Sequence, residues 1–530
     1  MSSPVVVNGV RIEWDTINEL VDHRARHQSG TFAMDICGTR LTYGELDEQT
    51  RKVAANLWAL GVRKGDRVAC FLPNRIEQIL VWLGTMRIGG IWLPINAALI
   101  GNDLDHTIAD ASPSVLVVDP ELRERVDALT LPADLRLFIA GEACAGYAPF
   151  ADLLRDCVPA PEVALRPEDP AVILYTGGTT GRPKGALLPH FAWIAAGYRY
   201  KESYDIGPDD VNFCVLSLFH NAGLMLGIIG PMVCNIPTYI EPRFSVSTFW
   251  ERVRETDATI TCIVGTIMVL LMQASASSED RAHRLRCTIG GLGQLPASVS
   301  QDFTARFGTQ VLNLYSLSEG GGVLIIRGDI DGAKPTSNGR GWNWAEVSIR
   351  DELDRPVAAG ETGEICLRPL VPHIFMSEYY NNLPKTLETF RNLWLHTGDL
   401  GHLDDDGDLF FTGRQAHFLR RRGENISVHE VEEVLGAYPG IRELAVIGVP
   451  SELAEDEVKS FIVPKDGVTI DPREIVLWCR ARMAAFKAPR FVQFLPSLPR
   501  SATKMEVERH VLKALGNGDA WDADQHMPRK

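Results

Sequence analysis

A short apolar run that breaks into glycines, hydroxyls and one lysine is the part of this sequence best suited to chemistry. The run Val172–Leu174 has the aliphatic side chains of a buried strand, and a set of residues suited to binding an anion follows it. That set is Thr176, Gly177, Gly178, Thr179, Thr180, Gly181 and Lys184. Glycines let backbone N–H groups approach an anion, hydroxyls add donors, and lysine adds a point charge. The stretch therefore predicts a strand that leads into a phosphate-binding loop.

The residue before Lys184 separates two kinds of phosphate-binding loop. A Walker A loop needs glycine there, and Pro183 occupies the position, so a P-loop kinase or GTPase is disfavoured. The stretch instead resembles the Thr-Ser-Gly-Thr-Thr-Gly-x-Pro-Lys-Gly signature of the adenylate-forming superfamily, which includes acyl-CoA ligases, luciferases and nonribosomal-peptide adenylation domains. A surface turn rich in glycine and threonine is the plain alternative. Further motifs of the superfamily follow in order between about Leu41 and about Leu512, and they favour the resemblance.

Two regions beyond the loop resemble the nucleotide contacts of the superfamily. The run from Tyr315 to Glu319 is similar to Tyr-Gly-x-Thr-Glu, which implies that Tyr315 stacks on adenine, Ser318 contacts the α-phosphate and Glu319 holds Mg²⁺. A hard oxygen ligand that bridges metal and phosphate neutralises charge in nucleotidyl transfer, whereas a solvated acid on a turn is the alternative for Glu319. The turn residues assigned to the same nucleotide site are Gly291, Leu292 and Gly293.

The ribose contacts are implied by a motif closer to the end of the larger domain. Trp394-Leu-His-Thr-Gly-Asp399 resembles Trp-x-x-Thr-Gly-Asp, in which the aspartate accepts hydrogen bonds from both ribose hydroxyls. An aspartate after glycine is otherwise ordinary turn chemistry. Arg414 matches a ribose or phosphate contact, and it lies at the start of the hinge that the resemblance implies between two domains.

The acid-binding pocket is implied by Phe219, His220 and Asn221. His220 matches the position that lines the pocket and gates the thiol tunnel, and a buried histidine satisfied by backbone is the alternative. Domains that activate amino acids usually carry an aspartate here, so its absence predicts a substrate without an α-amino group. The glycines near this pocket are Gly320, Gly321, Gly322, Gly223 and Gly227. Their missing side chains predict a roomy site for a bulky apolar acid, unless they serve backbone geometry.

The region after Arg414 resembles the superfamily's second domain, which swings in for the second half-reaction. Gly423 matches the residue that lines the pantetheine tunnel, where a side chain would block passage. The cations assigned to the phosphates of coenzyme A are Lys487, Arg490 and the run Arg420–Arg422. An exposed charged face is the alternative for these cations.

Two departures from the superfamily pattern affect the predicted activity. The hinge reads Gln415-Ala-His417, without the usual lysine and aspartate, and Met505 stands where the adenylation lysine belongs. Lys504 is one residue early, and on a regular backbone a slip of one residue re-aims a side chain by roughly 100° to 180°. The residues assigned to catalysis are accordingly Lys184, His220, Glu319, Gly423 and Lys504.

The sequence thus predicts an acyl-CoA ligase that uses ATP or AMP, Mg²⁺ and coenzyme A, with an impaired adenylation step. Such an enzyme would convert a preformed acyl-adenylate into a thioester, and a partner enzyme would make the adenylate. The alternatives left open are a complete two-step synthetase, a non-catalytic acyl-adenylate binder, a luciferase-like oxygenase and an adenylator that delivers to a carrier protein. A homodimer is also left open.

The elements that position these residues follow the rhythm of a layered α/β domain. Helical and strand patterns alternate from Leu41 to Leu314, short strands with turns follow at 347–368, and a compact α+β module begins after Gly413. We therefore expect a large N-terminal domain (1–413) with a small β unit, a hinge (414–417), a small mobile C-terminal domain (418–515) and a flexible polar tail (516–530).

Composition agrees with an ordinary globular enzyme. The 530 residues exceed one core, 45% are hydrophobic and 23% are charged. The net charge of −15 disfavours nucleic acid as a partner, and the ten scattered cysteines indicate neither disulfides nor a metal cluster. We expect a cytoplasmic protein, since no export signal or membrane span is evident. The uncharged stretch 211–240 is interrupted by polar residues and glycines.

Overall fold

The computed structural model describes residues 6–7, 10–176, 183–290, 297–321, 334, 337–340, 344–414, 418–421, 424–451, 455–499, 507 and 509–527. Two compact units are present. The larger unit comprises Met1–Ala97, Ile108–Tyr175 and Gly185–Gly413, and the smaller comprises Ala98–Thr107, Thr176–Lys184 and Arg414–Lys530. The main division thus falls after Gly413, and two short segments from earlier in the chain group with the smaller unit.

Two extended sheets build most of the larger unit. The eight-stranded sheet has, in spatial order, Glu378–Tyr379, Lys184–Pro189, Pro170–Thr176, Ile91–Pro94, Arg67–Phe71, Val115–Val118, Arg136–Ile139 and Ala148–Pro149. The seven-stranded sheet has Gln310–Asn313, Cys287–Gly290, Ile260–Cys262, Asn212–Cys214, Thr238–Ile240, Phe32–Ile36 and Thr39–Thr42. Their central pairs are parallel, and central strands such as Ile91–Pro94, Val115–Val118, Ile260–Cys262 and Cys287–Gly290 are buried on both faces, as expected where helices cover both sides.

A smaller antiparallel sheet follows in the larger unit, at the place where the sequence predicts short strands. Its strands are Ala345–Arg350, Gly363–Pro369, Leu395–Leu403 and Leu409–Arg414. A two-stranded ribbon of Val6–Val7 and Val10–Arg11 lies near the N-terminus. The β unit therefore sits directly before the division between the two units.

The helices of the chain up to Gly413 alternate with these strands in sequence. They are Ile17–His27, Tyr43–Ala59, Ile76–Arg87, Gly101–Ala111, Arg123–Asp127, His190–Ser203, Asn221–Leu224, the π-helical Met225–Ile229, Gly230–Cys234, Phe249–Glu255, Gly265–Gln273, Ala297–Phe307 and Leu383–Thr389, with short 3₁₀ turns at Pro120–Leu122, Phe150–Leu154 and Arg391–Leu393. Tyr43–Ala59 shows why a helix forms locally. Thr42 and Glu45 make a capping box at its start, and Gly61 with φ of +95° follows its end.

The smaller unit is an α+β module. Its strands are Phe418–Arg421 with Glu424–Ser427, and the four-stranded sheet of Ile441–Pro450, Asp456–Pro464, Phe491–Phe494 and Trp521–Asp522. Its helices are Val428–Gly436, Pro472–Arg480, Arg509–Ala514 and Ala523–His526, with a 3₁₀ turn at Ala485–Lys487. The predicted α/β class, with a large N-terminal part and a smaller C-terminal part, is confirmed.

Two local expectations differ from the structure. The expected strand from Val211 to Leu218 contains only Asn212–Cys214, because the side chain of Asn74 hydrogen-bonds the backbone at Leu216 and Leu218 instead. The expected flexible tail contains a strand and a helix, since Asp522 pairs with Arg490 and caps Ala523–His526.

None of the helices in the described part of the chain is long and apolar enough to cross a membrane.

Candidate functional site

Part of the predicted site lies outside the described residues. The predicted site residues concerned are Gly177, Gly178, Thr179, Thr180, Gly181, Gly291, Leu292, Gly293, Gly322, Gly423 and Lys504, together with Met505 and the hinge residues 415–417. On either side of the glycine loop, Thr176 ends the strand Pro170–Thr176 and Lys184 begins the strand Lys184–Pro189. Two strands therefore hold the ends of the predicted phosphate loop.

The structure brings together two predicted nucleotide residues that are far apart in sequence. The hydroxyl of Tyr315 donates to Oδ2 of Asp399 at 2.8 Å, and both side chains are buried. The ring of Phe411 lies 6.0 Å from that of Tyr315, between centroids. A ring predicted for adenine and a carboxylate predicted for ribose therefore lie at one place in the larger unit.

The backbone around Asp399 is fixed by the small sheet. The amide of Asp399 donates to Oγ1 of Thr397, and Thr397 donates to the carbonyl of Ile365 at 2.7 Å. The amide of Gly398 donates to Glu364 at 2.9 Å, and its φ of +71° favours glycine. The Thr-Gly-Asp turn is thus positioned before any ligand binds.

Glu319 is held from both its backbone and its side chain. Oη of Tyr379 donates to Oε1 of Glu319 at 2.7 Å, and the amide of Met376 donates to the Glu319 carbonyl at 2.9 Å. The amide of Gly321 donates to the Ser318 carbonyl at 3.1 Å, which closes the turn. Sequence reasoning missed Tyr379, because no motif marks a tyrosine sixty residues away from the carboxylate that it orients.

The glycines near the predicted acid pocket serve backbone geometry in the structure. Gly321 has φ of +61°, and a Cβ there would lie 2.0 Å from the carbonyl oxygen of Ile374. A Cβ on Gly223 would lie 2.2 Å from the carbonyl oxygen of Ser217. Gly320 lies buried in the same turn as Gly321. These contacts explain the absence of side chains at Gly321 and Gly223 by backbone geometry, the alternative that the sequence left open, and the bulky apolar acid stays a prediction.

The predicted gate lies where a short helix begins. The amide of His220 donates to the Ser217 carbonyl at 3.1 Å, and the His220 ring meets that of Phe219 edge-on at 4.7 Å. His220 is only half-buried and differs from His190, which burial holds at a pKa of about 4. Asn221 opens the helix that runs into the buried π-helical turn Met225–Ile229. The exposure of His220 does not fit a fully buried core histidine.

The cations predicted for coenzyme A phosphates have protein partners in the smaller unit. Nζ of Lys487 lies 2.6 Å from Oδ2 of Asp103 and 2.5 Å from Oε1 of Glu430, and all three groups are largely buried. Burial alone would lower the pKa of Lys487, but the two carboxylates outweigh it and raise that pKa. Burial raises the pKa of Glu430 to about 8. We call Lys487, Asp103 and Glu430 the lysine triad.

The arginines of this unit are paired as well. Arg490 makes a two-pronged contact with Asp522 at 3.0 and 3.1 Å. Nη1 of Arg421 donates to the carbonyls of Phe486 and Ala488 at 2.9 and 2.8 Å. The side chains of Arg414, Arg420 and Arg422 lie outside the described part of the chain. In this conformation Lys487, Arg490 and Arg421 thus have partners within the protein, and their contact with coenzyme A phosphates stays a prediction.

Comparison with known proteins identifies the class that this fold and site define. The family model described as AMP-binding enzyme matches residues 21–380, and the AMP-binding enzyme C-terminal domain matches residues 430–504. The chain therefore belongs to the AMP-binding, or adenylate-forming, enzymes. Within that superfamily it falls in the acyl-CoA synthetase branch and is an acid–thiol ligase, a class that uses ATP and coenzyme A.

Three relatives illustrate this placement. Crotonobetaine/carnitine–CoA ligase of Salmonella enteritidis is 33% identical over 486 residues, which cover 89% of this chain and 93% of that protein. ATP-bound MatB from Rhodopseudomonas palustris is 28% identical with a TM-score of 0.70, covering 94% of this chain and 99% of that one. The amide bond synthetase McbA from Marinactinospora thermotolerans shares the fold at 24% identity and a TM-score of 0.83, with coverages of 94% and 99%.

Proposed function

We propose that this protein makes acyl-CoA thioesters chiefly from a preformed acyl-adenylate, because its adenylation half-reaction is weak. The observation that carries the proposal is Met505 at the position of the superfamily's adenylation lysine. In adenylation a carboxylate attacks the α-phosphorus, so two anions meet while pyrophosphate leaves. A preorganised cation lowers that barrier, and loss of one such donor typically costs about 10² to 10³ in rate. A methionine thioether supplies no cation.

The second half-reaction makes smaller demands on that position. The thiol of coenzyme A attacks the acyl carbonyl carbon, the bond to the phosphate oxygen breaks, and AMP leaves. No second anion has to approach the phosphorus, so a lysine at position 505 matters less. Similarity to crotonobetaine/carnitine–CoA ligase supports coenzyme A as the acceptor.

The described site supports the binding of an adenylate. We assign Tyr315 to adenine and Asp399 to the ribose hydroxyls, which would replace the tyrosine hydroxyl as donors to that carboxylate. Lys184 and the loop before it would meet phosphate. The Glu319 carboxylate, oriented by Tyr379, suits Mg²⁺, which would neutralise phosphate charge when bound. The acid that enters past His220 lacks an α-ammonium group, since the gate residues carry no carboxylate.

The test compares the two half-reactions in two chains. Acid-dependent ATP–pyrophosphate exchange and thioester formation from a synthetic acyl-adenylate are measured in the native chain and in one with Lys504-Met505 replaced by Gly-Lys. Crotonobetaine, carnitine and a panel of mono- and dicarboxylic acids serve as probes. We expect weak exchange with robust thioester formation in the native chain, and at least about a hundredfold gain in exchange after replacement.

Three results would contradict the proposal. Robust exchange by the native chain would indicate that Lys504 reaches the site and that both steps run. Adenylate binding without any thioester product would indicate a non-catalytic binder. Transfer to an amine, a carrier protein or oxygen in place of coenzyme A would indicate another acceptor, and the fold shared with an amide bond synthetase makes that control necessary.

We further propose that the C-terminal domain rotates about residues 415–417 between the half-reactions. One site must first accommodate an adenylate and then admit the pantetheine arm. Ala416→Pro would hold φ near −65° and restrict that rotation. We expect multiple-turnover thioester synthesis to fall at least about tenfold with adenylate affinity retained, whereas Ala416→Ser serves as the control; unchanged turnover would argue against a hinge here.

A further inference from the structure

A buried arginine of the larger unit has donors that meet no acceptor. Arg199 lies in the helix His190–Ser203 and is 1% exposed. Its Nε donates to the Ala195 carbonyl at 3.2 Å, but Nη1 and Nη2 have no hydrogen-bond partner among the described residues. Burial lowers the pKa of Arg199 to about 9, so the guanidinium still carries its charge at neutral pH. An unpaired buried charge is costly, and proteins normally supply it with an anion.

A second unpaired donor lies beside it. Trp344 is fully buried, the centroid of its ring is 5.6 Å from the guanidinium carbon of Arg199, and its Nε1 also meets no acceptor within the described ranges. Cation–π contact stabilises the guanidinium over the ring but leaves the N–H groups unsatisfied. Nη1 and Nη2 of Arg199 and Nε1 of Trp344 therefore form one buried group of donors that no acceptor meets in the described part of the chain.

The acid nearest in sequence fills this role only in part. Glu202 follows Arg199 by three positions on the same helix and its charge raises the pKa of Arg199, yet no ion pair within 4.0 Å joins them in the described structure. One carboxylate oxygen of Glu202 is itself buried without a partner, and burial raises the pKa of this acid. The acceptor must therefore come from elsewhere.

The helix places Arg199 on the side of the predicted acid pocket. A Cβ on Gly321, in the turn after Glu319, would lie 3.1 Å from Cβ of Ala192. Arg199 follows Ala192 by seven positions, which is two turns along the same helix face and about 10 Å further on. This face of the helix thus runs from the Glu319 turn to Arg199, and the opposite side, at Gly197, packs against Val233 and Ile229.

We infer that Arg199 and Trp344 form a subsite for a second carboxylate, at the distal end of the acid that this enzyme activates. Guanidinium groups bind carboxylates in a two-pronged manner, and the indole N–H supplies a further donor. The inference rests on the proposed function for the identity of the reaction. What it adds is that the acid carries a second carboxylate. The same cation excludes acids whose distal end is a quaternary ammonium.

The test measures acid binding directly, in the presence of AMP, so that turnover is not required. Isothermal titration compares carbon-matched pairs (butyrate and succinate, hexanoate and adipate, octanoate and suberate) and includes 4-trimethylammoniobutanoate as a cationic acid. We expect at least one dicarboxylate to bind the native chain about tenfold or more tightly than its monocarboxylate partner, and the cationic acid to bind more weakly than butyrate.

Four variants separate recognition from folding. Arg199→Met should abolish the preference for the dicarboxylate, and Arg199→Lys should retain part of it. Trp344→Phe keeps an aromatic ring, removes the N–H donor together with part of the indole, and should weaken the dicarboxylate alone by a few fold. Glu202→Gln should leave both the preference and the melting temperature unchanged.

The proposal fails if no dicarboxylate is preferred or if Arg199→Met and Trp344→Phe leave the preference intact. It also fails if Glu202→Gln lowers the melting temperature as much as Arg199→Met, because Glu202 would then be the counter-ion. If the native chain binds a dicarboxylate more tightly than its monocarboxylate partner but forms neither a thioester nor an adenylate, the proposed function is wrong and the carboxylate subsite is still supported.

Discussion

Each unit of this protein buries a carboxylate, and the two carboxylates have partners of different kinds. Asp399 in the larger unit accepts from the neutral hydroxyl of Tyr315, whereas Glu430 in the smaller unit contacts the ammonium of Lys487. A neutral hydroxyl can be exchanged for ligand hydroxyls at little cost, but removing the buried ammonium leaves Asp103, the other partner of Lys487, as an uncompensated charge. The first arrangement suits a binding site, and the second suits a fixed part of the fold.

This difference shows that a motif predicts the position of a side chain, whereas a charged residue type alone does not identify the partner of the charge. The residues of the Thr-Gly-Asp turn are placed by backbone geometry that the motif itself encodes, including the positive φ of Gly398. Lys487 and Arg490 were assigned to phosphates largely because they are cations near a motif. Their carboxylate partners, Asp103 and Asp522, lie far away in sequence and were not visible in the local pattern.

The largest expected effect is the loss of stability when the lysine triad is broken. Lys487→Met leaves the Asp103 carboxylate buried without its cation, next to the protonated Glu430, which should cost about 3 to 5 kcal/mol in free energy of unfolding. Urea denaturation, followed by the fluorescence of the smaller unit's tryptophans, measures this change. The matched control is the triple variant Asp103→Asn, Glu430→Gln, Lys487→Met, which should recover most of the loss. A Lys487→Met chain as stable as the native one would restore Lys487 as a candidate phosphate contact.

A smaller effect, on binding alone, is expected at the other carboxylate. Asp399→Ala removes an acceptor for ribose hydroxyls, so affinity for AMP should fall by about 3 kcal/mol, or roughly 10²-fold. Tyr315→Phe removes only the hydroxyl that the ligand would displace and should change AMP affinity by no more than a few fold. Isothermal titration with AMP provides both values. If Tyr315→Phe weakens binding as much as Asp399→Ala, the tyrosine hydroxyl is part of the recognition and the exchange described above is wrong.

The sequence was informative where structure is decided locally. The strand Ile91–Pro94 and the helix Tyr43–Ala59 agree with their patterns, because apolar periodicity and capping residues act over a few positions. The expected strand after Val211 was too long, since a distant side chain, Asn74, takes over its hydrogen bonds. The segment from Gly516 was expected to be flexible because its own composition is polar, yet a tertiary ion pair to Arg490 orders part of it.

The candidate site shows the same limit. Tyr315, Glu319 and Asp399 are predicted from motifs, because the spacing of turn and strand residues recurs in the superfamily. Neither the contact of Tyr379 with Glu319 nor the role proposed for Arg199 was predicted, since both depend on which residues fold against these side chains. The neighbouring residues in the sequence do not distinguish a buried arginine such as Arg199, whose Nη1 and Nη2 meet no acceptor in the described structure, from an arginine that points to solvent.

The smallest change in stability is expected for Glu430→Gln at pH 5. This variant removes the charge of the side chain and keeps its shape. Burial raises the pKa of Glu430 from 4.5 to about 8, so the folded protein keeps this proton at neutral pH while the unfolded chain has lost it. The folded state then binds more protons between about pH 4.5 and pH 8, and stability must fall as pH rises through that window.

The contribution of Lys487 to stability does not change across this window. Its pKa is raised in the fold, so the stabilisation declines only above the unfolded pKa of about 10.5. Glu430→Gln resembles the protonated acid, so its stability should match that of the native chain within about 1 kcal/mol at pH 5, and because it takes up no proton it should become the more stable chain as pH rises. Urea midpoints of both chains from pH 5 to pH 8.5 test this, with Glu432→Gln as the matched control on the same helix. Parallel profiles for the native and Glu430→Gln chains would show that Glu430 is ionised in the fold and that the lysine triad carries two negative charges.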